Sequence, residues 1–311
     1  MLEIGTHNVN GIRAAQRRGF TNWLNESKPD VLALQEVRCP AKLLPLDAFS
    51  DYNVFYSPGR LAGRNGVALL TKHPVGAVRS WGSETLSITP DGVRPLDPDS
   101  TVELNFSLAE ELEPFAEEGR YLEIDLAEAP ITIASLYLPK GGLPEELNTK
   151  PGRSGQIDPD NPARYARKMA FLTGFATHLT RARENASAQG REFLVMGDFN
   201  IAHTQNDIKN WRGNLKSEGF LPEEREWFTS ILGEETLTDV VRSLHPDVDG
   251  PYSWWSWMGQ SFTKDVGWRI DYHLASPKLA QTAVAARVHK EPDAASRMSD
   301  HSPVFVTYAM S

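Results

Sequence analysis

Short runs of apolar, often β-branched residues recur along the chain, each about the length of one strand. Val31 to Leu34, Gly66 to Leu70, Tyr121 to Leu126, Ile131 to Leu138, Glu192 to Met196, Ile270 to Ala275 and Pro303 to Tyr308 are bounded by turn residues and predict β-strands. Helical spacing lies between some of them. Asn161–Pro162 supplies a cap and a first-turn proline ahead of Tyr165, Met169, Leu172, Phe175, Ala176 and Leu179, which predicts a helix. A second helix is predicted from about Thr21 to Glu26, ended by Pro29. A third covers Pro222 to Leu232, with Glu223, Glu224 and Glu226 in its first turns, where the helix dipole favours acids. Helices between strands, without strict βαβα alternation, predict α/β layering around a largely antiparallel sheet.

Two stretches break the pattern. Ser83 to Gly119 is rich in Pro, Asp and Glu with little periodicity and reads as a long surface insertion. Pro139 to Pro159 is irregular too and carries Lys140, Lys150 and Arg153 beside several glycines. With no internal repeat and no Gly/Ser linker, the expectation is one domain over residues 1–311 with insertions at about 83–119 and 139–160.

Charge changes the picture only locally. The net charge of −9 argues against a tight non-specific nucleic-acid binder. Much of the acidic excess, however, falls in one segment holding Glu110, Glu111, Glu113, Glu117 and Glu118, and a phosphate chain responds to a local patch. The single cysteine, Cys39, rules out an intrachain disulfide and fits a reducing cytoplasm. Met1 to Asn10 lacks a basic region followed by an apolar run, and no apolar stretch approaches the ~20 residues that span a bilayer. A cytoplasmic protein without a membrane partner is expected.

Candidate chemistry stands at the ends of predicted strands. Asn8-Val9-Asn10-Gly11 follows the opening strand, Gln35-Glu36 the next, and Gly197-Asp198-Phe199-Asn200 a later one; Asp271 and Ser299-Asp300-His301-Ser302 complete the set. Any one of these is ordinary turn chemistry. Together they supply what phosphodiester hydrolysis needs. Magnesium takes few protein ligands and prefers carboxylate or amide oxygen. Glu36 suits the principal ligand, with Asn10 and Asp300 near it; manganese is expected to substitute. Asp198 is a candidate base for water, and His301 a cationic donor to the phosphate.

Six blocks, in order from residue 6 to residue 303, resemble the exonuclease III family of abasic-site endonucleases, within the endonuclease/exonuclease/phosphatase superfamily. They are Thr6-His7-Asn8-Val9-Asn10-Gly11-Ile12-Arg13-Ala14, Leu34-Gln35-Glu36-Val37-Arg38, Gly197-Asp198-Phe199-Asn200-Ile201-Ala202, Tyr252-Ser253-Trp254-Trp255-Ser256-Trp257, Gly267-Trp268-Arg269-Ile270-Asp271-Tyr272 and Ser299-Asp300-His301-Ser302-Pro303. The resemblance implies a four-layered α/β sandwich of two mixed sheets flanked by helices. It also implies a magnesium-dependent enzyme that cuts DNA 5′ to abasic sites and trims 3′ ends, acting as a monomer on double-stranded DNA in the nucleoid.

Roles follow residue by residue. Glu36 matches the metal-binding glutamate, and Asn8 and Asn10 match residues close to metal and phosphate. Asp198 matches the aspartate that orients or deprotonates water, and Asn200 the neighbour that holds the phosphate. His301 matches the histidine on the scissile phosphate, Asp271 the carboxylate behind it, and Tyr137 a phenol that approaches the phosphate. Asp300 falls where a second metal is recruited. Trp254 and Trp268 fall where the family lines a pocket for a base-free sugar, which an intact base would overfill; Trp255 and Trp257 are expected in the core. Asn206, Asn210 and Asn214 lie in a loop that contacts DNA in the family, Asn214 matching best.

Two departures are visible. His7 replaces a common aromatic, read as a packing change. Lys140 stands where an amide is frequent, able to bind phosphate as a point charge only. The same superfamily fold also carries phosphatases acting on inositol phosphates, phospholipases acting on sphingomyelin, and inactive binding modules. The Tyr252–Trp257 and Gly267–Tyr272 blocks favour the abasic-site branch.

Overall fold

The computed structural model describes residues 1–311 except 62, 97–103, 105, 152–154 and 311. Arg153 lies outside the described residues. Numbered in chain order, the first sheet holds β1 (Leu2–Asn8), β2 (Val31–Gln35), β3 (Asn53–Ser57), β4 (Val67–Thr71), β6 (Leu86–Thr89), β7 (Gly92–Pro95), β13 (Ala283–Val288) and β14 (Val304–Tyr308). Their order across the sheet is β13-β14-β1-β2-β4-β3-β6-β7. The second sheet holds β5 (Val75–Ser80), β8 (Tyr121–Leu126), β9 (Ile131–Tyr137), β10 (Glu192–Asp198), β11 (Thr238–Asp239) and β12 (Asp271–Ala275), in the order β11-β12-β10-β9-β8-β5. Only β1–β2 and β9–β10 pair in parallel, so each sheet is mixed and mostly antiparallel.

The sheets pack face to face. Ile4, Val31, Ala33, Val67 and Leu69 of the first meet Leu122, Ile124, Ile131, Ile133, Leu194 and Met196 of the second. Helices α1 (Ile12–Arg17) and α2 (Phe20–Ser27) cover the outer face of the first sheet, where Leu32, Leu34, Val54 and Leu70 point. The outer face of the second packs on α3 (Asn161–Ala188) and α4 (Pro222–Ser230) through Phe171, Leu172, Phe175, Leu179 and Phe228. Short α5 (Val240–Leu244) and α6 (Pro277–Gln281) add Val240, Val241 and Leu279 to the inner core. The result is four layers. Central strands buried on both faces explain why Val31–Leu34 reads as an unbroken apolar run and Ile131–Leu138 as a largely apolar one rather than an alternating one.

Each predicted strand and helix exists, with small shifts at the ends; the Asn161 helix continues to Ala188. The strands without a strong signal, β3, β5, β6, β7 and β13, include the outermost strand of each sheet, where one face is less buried. The described residues of Ser83 to Gly119 include regular structure where an irregular surface stretch was expected. They add β6 and β7 to the first sheet, and a 3-10 segment at Glu110–Glu118 seats Leu112 and Phe115 against α3. Among the described residues no helix is long and apolar enough to cross a membrane.

One glycine fixes how β10 ends. Gly197 has φ +140°, and a Cβ there would lie 2.0 Å from the Leu136 carbonyl oxygen on β9. Gly197→Ala must therefore push β9 from β10 immediately before Asp198. It is expected to destabilise the fold by about 2–3 kcal/mol, seen as a lower urea midpoint. An unchanged midpoint would show that the strands separate there without cost.

Candidate active site

Sheet register brings three side chains to one level. Asp198, the last residue of β10, stands opposite Tyr137 of β9 on one side and Asp271 of β12 on the other. In the first sheet Asn8 of β1 stands opposite Gln35 of β2, with Glu36 next in the chain. Because the sheets face each other, the two sets meet. Asn8 Nδ2 donates to Glu36 Oε1 at 3.0 Å and to Asp198 Oδ2 at 2.9 Å. Below them Thr6, Gln35 and Ser135 form a buried hydrogen-bonded chain between the sheets.

The turns leaving these strands are strained. Asn10, Glu36, Arg38 and Asn200 have φ of 45°, 52°, 50° and 50°. Non-glycine residues hold such angles only where surrounding bonds over-determine them. Here Gly11 N donates to the Glu36 carbonyl at 2.8 Å, Arg38 N to the Asn65 carbonyl at 2.8 Å, and Asn200 N to Asp198 Oδ1 at 2.9 Å.

His301 supplies the positive charge. Its Nδ1 lies 2.8 Å from Asp271 Oδ2, which also accepts from Ser253 Oγ at 2.6 Å. Its Nε2 faces Asp198 Oδ2 at 3.8 Å. Burial alone would lower an imidazole pKa, but the charges of Asp271 and Asp198 outweigh it and hold His301 up at about 9. Burial pushes the Asp198 carboxyl well above the usual carboxylate range, against the pull of His301. Burial and the Asp198 charge raise Tyr137 to about 12, so its phenol stays protonated. His7 is buried and held down at about 3 chiefly by burial; its Nε2 meets the His301 carbonyl at 3.3 Å while its ring packs on Phe20 and Trp23. It packs, as expected, and also braces the His301 backbone.

Asp198, Asp271 and His301 offer ligand atoms within 4.8 Å of one another, a spacing a metal could use. Asp271 already holds His301 Nδ1, so only Nε2, 3.8 Å from Asp198 Oδ2, is left to face a ligand, and a nitrogen suits magnesium less than oxygen does. The oxygen set around Glu36 fits a hard cation better. Glu36 Oε2 is buried and pairs with the half-exposed Arg38 guanidinium at the cleft floor. Asn10 joins Arg38 to Asp300: its Oδ1 accepts from Arg38 Nη1 at 2.6 Å and its Nδ2 donates to Asp300 Oδ1 at 2.8 Å. Burial would raise the Asp300 carboxyl, but His301, Asn10 and Trp254 Nε1, the last at 3.2 Å from its Oδ2, keep it below its ordinary value.

These groups floor an open cleft of about 1050 Å³ whose walls include Trp254 and Trp268, ring centroids 6.0 Å apart and perpendicular. Asn214 lines it too, its side chain engaged with the Asn210 carbonyl and Ser217. Lys140 stands exposed at the rim, 3.1 Å from Glu218. Asn206 and Asn210 line a separate groove beside Trp211. Trp255 is buried as expected, whereas Trp257 is 46% exposed, with Arg18 and Arg297 over its ring, because its segment turns outward past Trp255. Arg38, Arg64, Arg164, Arg167 and Lys216 line the mouth beside Asp158 and Glu218, so cations gather at the cleft of a chain whose net charge is −9.

Three participants escape a reading of spacing alone. Ser253 meets Asp271 only through the fold; Arg38 pairs with Glu36 two residues away; Arg120 stacks on Tyr137 at 5.1 Å and donates to its carbonyl at 3.1 Å.

Residues 5–301 match the Endonuclease/Exonuclease/phosphatase family, and the chain belongs to it. It is similar to the DNA repair nuclease APEX1 of Danio rerio, 28% identical over 315 residues that cover 99% of this chain and 83% of that protein. It is also similar to an exodeoxyribonuclease of Bacillus subtilis, 26% identical over 305 residues, 97% of this chain and 98% of the other. Its fold matches that of an AP endonuclease from Archaeoglobus fulgidus, with a TM-score of 0.73 and 24% identity, each chain covered over 100%.

The His301–Asp271 bond makes a pH prediction. A reaction that needs ionised Asp198 and protonated His301 is expected to slow on the acid side as Asp198 is protonated and on the alkaline side as His301 loses its proton. In Asp271→Asn the charge that raises His301 is gone, so the alkaline limb should move down by about one unit or more and the maximum rate should drop. Rate–pH profiles at saturating metal decide it; an unmoved alkaline limb would remove Asp271 from that role.

Proposed function

We propose that this chain is a divalent-metal-dependent DNA phosphodiesterase of base-excision repair, cutting 5′ to abasic sites and trimming 3′ ends. The observation that carries the reading is the juxtaposition of Asp198 and His301, 3.8 Å apart, beneath a cleft walled by Trp254 and Trp268. A water held by Asp198 gives up its proton to that carboxylate as its oxygen bonds to phosphorus and the leaving sugar oxygen departs. Asn8 and Asn200 hold Asp198 from three sides. The His301 imidazolium meets the charge that grows on the phosphoryl oxygens, and Asp271 with Ser253 keeps its Nε2–H turned to the substrate. Tyr137 offers a phenol to the same oxygens.

Glu36, with Asn10 and Asp300, would hold the cation. Magnesium or manganese bound there supplies Lewis acidity to the phosphoryl and leaving oxygens. The charge balance supports it: Glu36, Asp198, Asp271 and Asp300 face two cations, Arg38 and His301. The names of the relatives support DNA as substrate, and the perpendicular Trp254 and Trp268 rings offer an apolar wall suited to a base-free sugar, the reading that favours abasic sites. Lys140, Asn214 and the arginines at the mouth are read as phosphate contacts. We read residues 1–311 as one nuclease domain acting as a monomer on double-stranded DNA in the cytoplasm, at the nucleoid.

Cleavage of a duplex with one abasic site, beside an intact duplex and with and without magnesium, tests the reading; equal rates on both, or activity in chelator, would sink it. Glu36→Ala is expected to lose at least about 100-fold in rate at ordinary magnesium and to recover in part at high manganese, which binds oxygen sites more tightly. Trp268→Ala is expected to slow abasic-site cutting more than removal of intact 3′ nucleotides, because it removes a wall rather than a reacting group. Equal losses on matched duplexes would return Trp268 to a packing role.

A further inference from the structure

Behind the cleft floor lies a buried cation. Lys168 of α3 has a side chain only 1% exposed, and its Nζ donates to three acceptors. They are the Asn200 carbonyl at 2.9 Å, the Lys140 carbonyl at 3.1 Å and Glu224 Oε1 at 2.6 Å. Glu224, in the first turn of α4, is equally buried, and its Oε2 accepts from Leu221 N at 3.0 Å. The two carbonyls belong to different loops. Asn200 ends the turn after Asp198, and Lys140 lies three residues past Tyr137. Asn200 closes the circuit, sending Nδ2 to the Leu138 carbonyl at 2.9 Å and to Asp198 Oδ2 at 3.3 Å.

The neighbouring chain is shaped around this lysine. Gly141 has φ +89°, and a Cβ there would lie 2.5 Å from Lys168 Cδ. At Gly142 a Cβ would lie 2.4 Å from the Asn161 carbonyl oxygen at the start of α3. Burying an ammonium and a carboxylate is not by itself stabilising, since an apolar pair of similar volume does as well. What an apolar pair cannot do is hold carbonyls. An ammonium has three donors, and here each has one acceptor.

We propose that Lys168 is a positioning residue of the active site, acting through Asn200. Its ammonium, anchored by Glu224, clamps the Asn200 and Lys140 carbonyls together and so sets the Asn200 side chain against Asp198 and the phosphate. The inference rests on the phosphodiesterase reading above.

Steady-state kinetics on an abasic-site duplex and thermal unfolding are measured for wild type, Lys168→Met, Lys168→Met/Glu224→Gln and Gly141→Ala. The single Lys168 variant leaves Glu224 buried and unpaired and is expected to unfold at lower temperature. The double variant removes both charges and is expected to unfold near wild type. Its kcat should still fall about 10- to 100-fold, the effect of misplacing a reacting group by about an ångström. Its KM should change less than about threefold, since the loss is realised in the transition state. A role limited to neutralising Glu224 would instead restore kcat in the double variant, and that result overturns the proposal. Should the double variant fail to fold, Gly141→Ala decides by the same kcat criterion, because its Cβ displaces Lys168 while leaving both charges. Wild type without activity would overturn the phosphodiesterase reading and, with it, the role given to Lys168; an active wild type with full kcat in the variants would overturn the Lys168 role alone.

Discussion

The bond between His301 Nδ1 and Asp271 Oδ2 is the interaction on which the site depends. A buried imidazole is normally neutral, because low-dielectric surroundings disfavour charge. His7, His178 and His273 follow that rule, each held low mainly by burial. His301 departs from it because two buried carboxylates face its two nitrogens. The same charges make the arrangement costly unless further donors satisfy them, and Asn8, Asn200 and Ser253 are those donors. Two carboxylates facing one imidazole concentrate acidic groups in the buried site.

Positioning such a cluster needs rigid supports on both sides, and the two sheets provide them. Asp198, Tyr137 and Asp271 are held at one level by ladder bonds across β9, β10 and β12, so a slip of one residue in any of these strands would turn its own side chain away from the other two. Asn8 and Glu36 arrive from the other sheet through left-handed turns that the surrounding hydrogen bonds enforce. The apolar layer between the sheets thus sets the separation between Asp198 and Glu36. Gly197 is where close strand packing and site geometry coincide.

Charge is segregated over the surface. Glu110, Glu111 and Glu113 lie at the start of the 3-10 segment that docks on α3, while Glu118 at its end holds Arg120 and Arg167 at the cleft mouth. The acidic segment therefore helps to order the basic rim, and the net charge describes neither.

The local pattern was enough to read the layered α/β class, the central strands and the long helix. Strands buried on both faces and a capped amphipathic helix write their environment into consecutive residues, as at Ile131–Leu138 and after Asn161–Pro162. Strand-end acids and amides such as Glu36 and Asp198 were legible for the same reason, since turn position and residue type are local, and their family resemblance gave them roles. The tertiary structure decided what depends on distant pairing. Edge strands β5, β7 and β13 carry weak signals because one face is poorly buried, and the 83–119 stretch takes its order from α3 and the first sheet. Trp257, expected in the core, points outward while its neighbour Trp255 points in, a choice made by the path of the loop. Ser253 behind Asp271 and Lys168 beneath Asn200 are contacts in space, set by sheet packing and helix docking, and hydrogen-bond partners brought together in that way leave no periodicity in the chain.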